Sequence, residues 1–447
     1  MTYELFFNSV RGASHIRKGT PCEDFGIKVD CDDFKIFAVA DGHGDPNCLR
    51  SNIGSKYVCQ IAAEELEAFA KTVKEQEWEE KLLDKQDARQ LVERLTLSIV
   101  GKWANAVSDE LEQNPLSEEE IQKAPAYAKE YLKGIRTERM YGTTLIAGLQ
   151  TEKYLLLLQQ GDGRCVVFDS EGNASQPIPW DDRCVGTATT SLCDNDAAQS
   201  CRYYIVDLEK NPVIACIAGT DGVEDSFPTS MEKTHAFYRE LLQYACDNSV
   251  EALEEYLVDT LNELSTNGSA DDITISGIVD IERVRPFLEA FAEKNRLVDF
   301  EDEVTFLVGK VKSIEEGGKF QHLVKKYDAA VEEYEMAKRK YHDLSVACDT
   351  LSETIAAQEQ AEEDVQSESD IVRTLIHKLR LPKDSLSLVK KSYENKCAER
   401  DSAEEALRIA TEKKDAAEKE YLPYKERYDS FVQMRDEAIK RLNELKG

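Results

Sequence analysis

The chain has 447 residues and a formal net charge of −31, from 56 Lys and Arg against 87 Asp and Glu. That acidity excludes nucleic acid and an anionic membrane surface as partners, and the length admits two or three domains with a full-sized core. Twelve cysteines include no CxxC pair and only six histidines are present, so zinc sites are not expected and the thiols should be reduced, as in the cytoplasm.

The N-terminal MTYELFFNSVRG has no basic stretch leading into an apolar one. No run approaches the ~18 apolar residues of a membrane span. YELFFNSV, FGIKVDC and DFKIFAVADGHG then read as strands, and a helix should begin near Asn52. AAEELEAFAKTV and ARQLVERLTLSIVGKWANAVSDELE carry apolar residues at three- and four-residue spacing, which predicts helices. Pro115 followed by Ser117 and three glutamates marks a break and a capped helix start. Strand character returns in YGTTLIAGLQ, KYLLLLQQGDG, RCVVFDSEG, RYYIVDL and NPVIACIAGTDG. Cys165 and Cys216 fall inside these apolar runs and should pack as small hydrophobes. A helical stretch near 230–265 precedes DDITISGIVDI. Strands, paired helices, strands and helices again indicate an α+β layering.

Beyond Ile281, VRPFLEAFAEKN reads as helix and DEVTFLVGKV as one more strand. Gly317-Gly318 then punctuates the chain. From Lys319 the apolar residues follow a broken heptad through Val324, Tyr327, Val331, Tyr334, Tyr341, Leu344, Cys348, Leu351 and Ile355. A second series runs from Leu386 to Ile439, and its tyrosines Tyr421, Tyr424 and Tyr428 are assigned to the helix seam. Pro382 divides the two, with Asp384 or Ser385 as the next cap, and two arms of about 60 residues would each reach roughly 90 Å. A long antiparallel helical hairpin is the simplest reading, and arms that open and pair with a second molecule are the alternative. Pro423 should kink or interrupt the second arm. The domains are therefore drawn as 1–312 and 313–447, with the turn near Pro382.

The chemistry lies in acidic residues at the ends of apolar runs: Glu23-Asp24, Asp41, Asp162, Asp221 and Asp271-Asp272. A carboxylate at the tip of a buried strand is costly unless neutralised, and several converging would repel one another. Hard divalent cations are the natural partner, because all-oxygen ligation suits Mg²⁺ or Mn²⁺ rather than zinc. Glycines beside these carboxylates (Gly42, Gly163, Gly222) allow a close backbone approach.

Taken in order, Glu23-Asp24, Asp41-Gly42-His43-Gly44, Tyr141-Gly142-Thr143-Thr144, Gly161-Asp162-Gly163-Arg164, Thr220-Asp221-Gly222 and Asp271-Asp272-Ile273-Thr274 resemble the metal-dependent type 2C serine/threonine protein phosphatases. The resemblance covers residues 1 to about 281; the tail lies outside it. It implies a β-sandwich of two antiparallel sheets flanked by helices, with metal ions at one end. It further implies that Asp41 bridges two Mg²⁺ or Mn²⁺ ions, with Glu23 and the Gly42 carbonyl completing one ion's ligands and Asp221 and Asp271 the other's. Asp162 with Asp221 matches the pair that holds a third ion in some members; a structural turn is its other reading. Asp24 would orient metal-bound water, or serve only a turn, and Asp272 would be a hydrogen-bonding neighbour of Asp271.

The reaction so implied is hydrolysis of phosphoserine and phosphothreonine in proteins by a metal-bridging hydroxide, with no cysteine nucleophile and no CxxxxxR loop. His43 would protonate the leaving oxygen or hydrogen-bond a metal-bound water. Many members carry a phosphate-gripping arginine four residues before the glutamate. Here that position is Gly19, and Arg17 is the first substitute, with Lys18 and His15 behind it. Arg164 is expected to pair with local carboxylates. A catalytically weak scaffold or signalling module acting through the tail is the competing reading. The tail would dock a protein partner or a second copy.

Overall fold

The computed structural model describes residues 2–186, 188–227, 230–366 and 384–446. Two compact units emerge, Met1–Asp299 and Phe300–Gly447.

The first unit is a sandwich of two antiparallel five-stranded sheets. Its strands are β1 (Glu4–Val10), β2 (Phe25–Asp30), β3 (Phe34–Ala40), β4 (Leu145–Thr151), β5 (Tyr154–Gln160), β6 (Arg164–Asp169), β7 (Ala174–Ser175), β8 (Arg202–Asp207), β9 (Val213–Gly219) and β10 (Ile273–Val279). One sheet has the order β1-β10-β9-β6-β7, the other β2-β3-β4-β5-β8. The central strands are continuous apolar runs because both their faces are covered. Phe37, Val39, Ile146, Leu155, Leu157 and Cys216 fill the layer between the sheets. On one outer face Ile36, Ala38, Leu156 and Leu158 pack against helices Ser51–Glu75 and Lys85–Gln113 through Val58, Leu66, Ile99 and Trp103. On the other, Val166, Ile217 and Ile275 meet helices Met231–Asp247 and Val250–Asn267 through Leu241, Leu242, Leu253 and Leu257. The α+β sandwich expected from the sequence is the observed architecture.

Local expectations hold at several points. The first long helix begins at Ser51, and Ser117 with Glu120 forms a full capping box. All twelve cysteines are free, including Cys165 and Cys216, whose sulfurs lie 3.6 Å apart inside the sandwich. The stretch near 230–265 is two helices, separated at Asn248-Ser249, where Ser249 caps the second through the Ala252 amide. No described helix is long and apolar enough to cross a membrane.

Two expectations are corrected. Residues 302–311 are not a strand; they lie within the unbroken helix Leu288–Glu316. Leu307 and Val311 are its buried residues there, four apart, so the helical period overrides the apparent alternation. Pro423 does not interrupt the second arm, which is helical from Asp384 to Lys446. Pro423 sits on the exposed side, where water can satisfy the carbonyl it leaves unpaired.

In the second unit, helices Gly318–Gln366 and Asp384–Lys446 pack antiparallel. Lys326 pairs with Glu420 at 2.8 Å, Glu333 with Lys413 at 2.7 Å, and Cys348 lies 3.7 Å from Cys397. Burial follows a regular heptad through Leu323, Tyr327, Ala330, Tyr334, Ala337, Tyr341, Leu344 and Cys348, one residue off the expected Val324 and Val331. Tyr421 stacks on Tyr327 at 5.0 Å, so that tyrosine belongs to the seam. The expected turn at Pro382 lies outside the described residues.

Candidate active site

Strand register alone brings the acidic motifs to one end of the sandwich. Phe25 pairs with Ala40, so Glu23-Asp24 and Asp41 leave adjacent strand tips. Leu145 pairs with Gln160, which sets Thr143-Thr144 beside Gly161-Asp162. Gly219 pairs with both Arg164 and Ile275, which places Asp221 next to Asp162 and to Asp271-Asp272. Glu23, Asp41, Gly42, His43, Asp162, Asp221 and Asp271 accordingly line one cleft of about 770 Å³.

Each tip is held by backbone bonds. The Asp41 carbonyl accepts the Thr144 amide at 2.8 Å and the Thr143 hydroxyl at 2.9 Å, and the Asp41 amide donates to Thr144 Oγ1 at 2.9 Å. The Tyr141-Gly142-Thr143-Thr144 segment is itself anchored, because the Tyr141 hydroxyl and Arg50 both donate to Glu110. Gly42 donates to the Glu23 carbonyl, and a Cβ on Gly42 would lie 2.5 Å from that oxygen, so no other residue fits. Glu23 Oε1 accepts the Ser51 hydroxyl at 2.9 Å, and Asp162 Oδ1 accepts the Thr189 hydroxyl at 2.7 Å. Gly161 holds φ at +98°, a conformation that turns the chain from β5 toward Asp162.

Asp24 and Asp272 lie beneath the cleft. Asp24 accepts the Thr220 hydroxyl at 2.7 Å. The Asp272 amide donates to Asp271 at 2.9 Å, which makes it the expected neighbour. Its carboxylate has a further task that the sequence did not reveal: it accepts the amides of Gly12 at 2.5 Å and Glu23 at 2.6 Å. His15 Nδ1 lies 2.9 Å from the same carboxylate but off line for a hydrogen bond. His15 Nε2 lies 3.6 Å from Asp271.

Burial dominates the electrostatics. It pushes Asp41 and Asp24 well above the usual carboxylate range, and the surrounding Asp carboxylates add to the effect. Asp221 is raised to about 7 by burial and then by Asp162 and Asp271, although a hydrogen bond with Asp41 opposes the rise. Burial also raises Glu23 and lowers His43. Among the described lining residues there are eight carboxylates and two permanent cations, Lys18 and Arg139.

No three described Asp, Glu, His or Cys side chains form a group that would hold an ion as they stand. Burial and mutual repulsion instead favour the protonated forms of Asp41 and Asp221, which does part of the neutralising a cation would do. The donor set fits a hard divalent ion: it is all oxygen and acidic, half-buried at one strand-end cleft with Asp271 exposed at its edge.

Arg17 is exposed and is not among the cleft-lining residues; Lys18, one position on, is. The short helix Ala13–Lys18 turns one side toward the cleft and the other to solvent, and the sequence could not say which. Arg139, Asp45, Asp194 and Asp225 also line the cleft: Asp45 and Asp225 closely follow the Asp41 and Asp221 motifs, whereas Arg139 and Asp194 stand in none. Arg164 pairs with Glu224 at 2.8 Å, as expected.

The sequence matches the family model described as protein phosphatase 2C over residues 11–262, more than half of the chain. Among solved structures, a bacterial serine phosphatase is 16% identical with a TM-score of 0.39, covering 62% of this chain and 97% of its own. The serine/threonine phosphatase of Staphylococcus aureus is 15% identical at 0.39, covering 62% and 94%, and that of Mycobacterium tuberculosis 16% at 0.36, covering 62% and 98%. No curated protein matches. The match spans five of the six motifs at the cleft, from Glu23-Asp24 to Thr220-Asp221-Gly222, and decides the assignment: the chain belongs to the protein phosphatase 2C family.

Proposed function

We propose that the protein is a Mg²⁺- or Mn²⁺-dependent phosphatase of phosphoserine and phosphothreonine in other proteins. The observation that carries this reading is the excess of eight carboxylates over two permanent cations in one cleft. Asp41, Glu23 and the Gly42 carbonyl would hold one ion, Asp41, Asp221 and Asp271 a second, and Asp162 with Asp221 a third. Such ions, when bound, activate water near neutral pH and offset charge on the phosphoryl oxygens.

The chain's own residues do the rest. Asp24, fixed by the Thr220 hydroxyl, would orient metal-bound water. His43, whose amide is held by the Gly142 carbonyl at 3.1 Å, would donate a proton to the leaving seryl or threonyl oxygen from its protonated form, which burial makes a stronger acid but a scarcer one near neutral pH. Lys18 takes the phosphate-binding part first assigned to Arg17, because it borders the cleft and has no carboxylate within ion-pairing distance among the described residues. Thiol chemistry is not needed: burial pushes Cys48, which borders the cleft, up to about 12, and raises Cys193 too. The intact acidic set weighs against the scaffold reading. The helices beyond 312 would serve a partner or a second copy, and the cytoplasm suits the reduced thiols.

The deciding experiment is hydrolysis of a phosphothreonine peptide and of p-nitrophenyl phosphate with EDTA, then with Mn²⁺ or Mg²⁺ restored. Activity should vanish and return, and iodoacetamide should leave most of it. Full activity after metal stripping would sink the reading.

A further inference from the structure

In a chain with 31 excess negative charges, an arginine at a substrate cleft without a carboxylate partner is unusual. Arg139 is one: among the described residues no carboxylate lies within ion-pairing distance of it. Its guanidinium is nonetheless held in place. It stacks over the Tyr127 ring at 4.8 Å and donates from Nη1 to the Tyr127 hydroxyl at 3.1 Å, and among the described residues its other guanidinium donors have no hydrogen-bond acceptor. Tyr127 and Tyr131 stack at 6.0 Å, and Tyr131 donates to the Asn47 carbonyl at 2.9 Å, so the platform is itself fixed.

Its backbone ties it to the histidine segment of the cleft. The Arg139 carbonyl accepts the Gly142 amide at 3.2 Å, and the Gly142 carbonyl accepts the His43 amide at 3.1 Å, which sets Arg139 two bonds from the histidine assigned to the leaving oxygen. Arg139 also lines an adjoining recess of about 200 Å³ with Arg136, Asn195 and the carboxylates Glu138 and Asp194, neither of which lies within ion-pairing distance of the Arg139 guanidinium. The polypeptide of a phosphoprotein substrate leaves the phosphate through its seryl or threonyl oxygen. In the reading above it leaves on the side of His43, and Arg139 is the permanent cation tied to that segment.

We propose that Arg139 is a specificity residue that pairs with a carboxylate side chain next to the phosphorylated residue of the substrate. This rests on the phosphatase reading above. A preorganised guanidinium presents a fork that matches a carboxylate, and the pair forms where water is partly excluded. The sequence that surrounds the phosphorylated residue is then read by charge.

The test uses the full-length Mn²⁺-loaded protein and phosphothreonine peptides bearing Asp, Ala or Lys at each of the two positions on either side. The wild type should favour one Asp peptide over its Ala counterpart by ~10-fold in kcat/KM, a preference that shrinks with added salt. Arg139→Gln should remove the preference, Arg139→Glu should turn it toward Lys, and Arg139→Lys should keep part of it. Thermal unfolding identifies any variant that fails to fold, and Arg139→Lys keeps the charge if the others do not. A wild type indifferent to flanking charge, or a preference that persists in Arg139→Gln, overturns the proposal. So does a loss on p-nitrophenyl phosphate as large as that on the Asp peptide, which would put the guanidinium on the phosphate itself. Absence of metal-dependent hydrolysis of p-nitrophenyl phosphate by the wild type would instead defeat the phosphatase reading.

Discussion

The carboxylate of Asp272 accepts the backbone amide of Glu23 at 2.6 Å, a bond between residues 249 positions apart. One acidic motif thus fixes the other: the segment that enters β10 sets where the N-terminal carboxylates stand.

Removing that anchor should act on stability first. Asp272→Ala leaves the buried amide of Gly12 and the half-buried amide of Glu23 without their acceptor, at about 1–3 kcal/mol for the first and less for the second, which water can reach. Asp272→Asn keeps one acceptor oxygen and should cost less. Urea unfolding of the metal-free variants checks the order, and equal losses would show that the two amides find other partners.

Asp41→Asn and Asp221→Asn should each lower kcat by several orders of magnitude, since each removes charge from a shared position at the centre of the cleft. Asp162→Ala should be milder and should raise the Mn²⁺ concentration for half-maximal rate. Steady-state kinetics across a Mn²⁺ titration distinguishes the two outcomes. A near-normal Asp41→Asn enzyme would mean the ligand set is wrongly assigned.

The raised Asp221 gives a pH signature to the metal-free protein. Folded, it keeps its proton until about pH 7; unfolded, it loses it near its ordinary value of 3.8. Between those values the native state binds more protons, so this group's contribution to stability is present at low pH and is lost as pH rises toward 7. In EDTA, the melting temperature of the wild type should fall across that window relative to Asp221→Asn. Added Mg²⁺ should raise it most near the top of the window. Parallel pH profiles for the two proteins would show that Asp221 does not hold the proton.

A truncated protein ending at Lys312 should fold and retain Mn²⁺-dependent hydrolysis of p-nitrophenyl phosphate, because every cleft residue precedes Gly277 and the core residue Phe291 is kept. It should lose its partner or its self-association, read by sedimentation and pull-down with a defined binding protein. Loss of aryl phosphatase activity would assign the tail a structural or activating part.

The sequence by itself determined the α+β layering and the order of the acidic strand tips, and the sandwich and cleft followed from the resemblance those motifs carry. Asp41, Asp162 and Asp221 end strands whose apolar runs are unmistakable, and the order of such tips is a property of the chain. Helical phase and side-chain direction are different, because they depend on what each element packs against. Whether Arg17 or Lys18 turns toward the cleft depends on how the short helix Ala13–Lys18 seats on the sandwich. Residues 302–311 alternate as a strand would, yet the burial of Leu307 and Val311 on one side made them helix. Arg139 stands in no motif. Only the folded chain put it over Tyr127 beside His43, since contacts between segments distant in sequence follow from packing rather than from local composition.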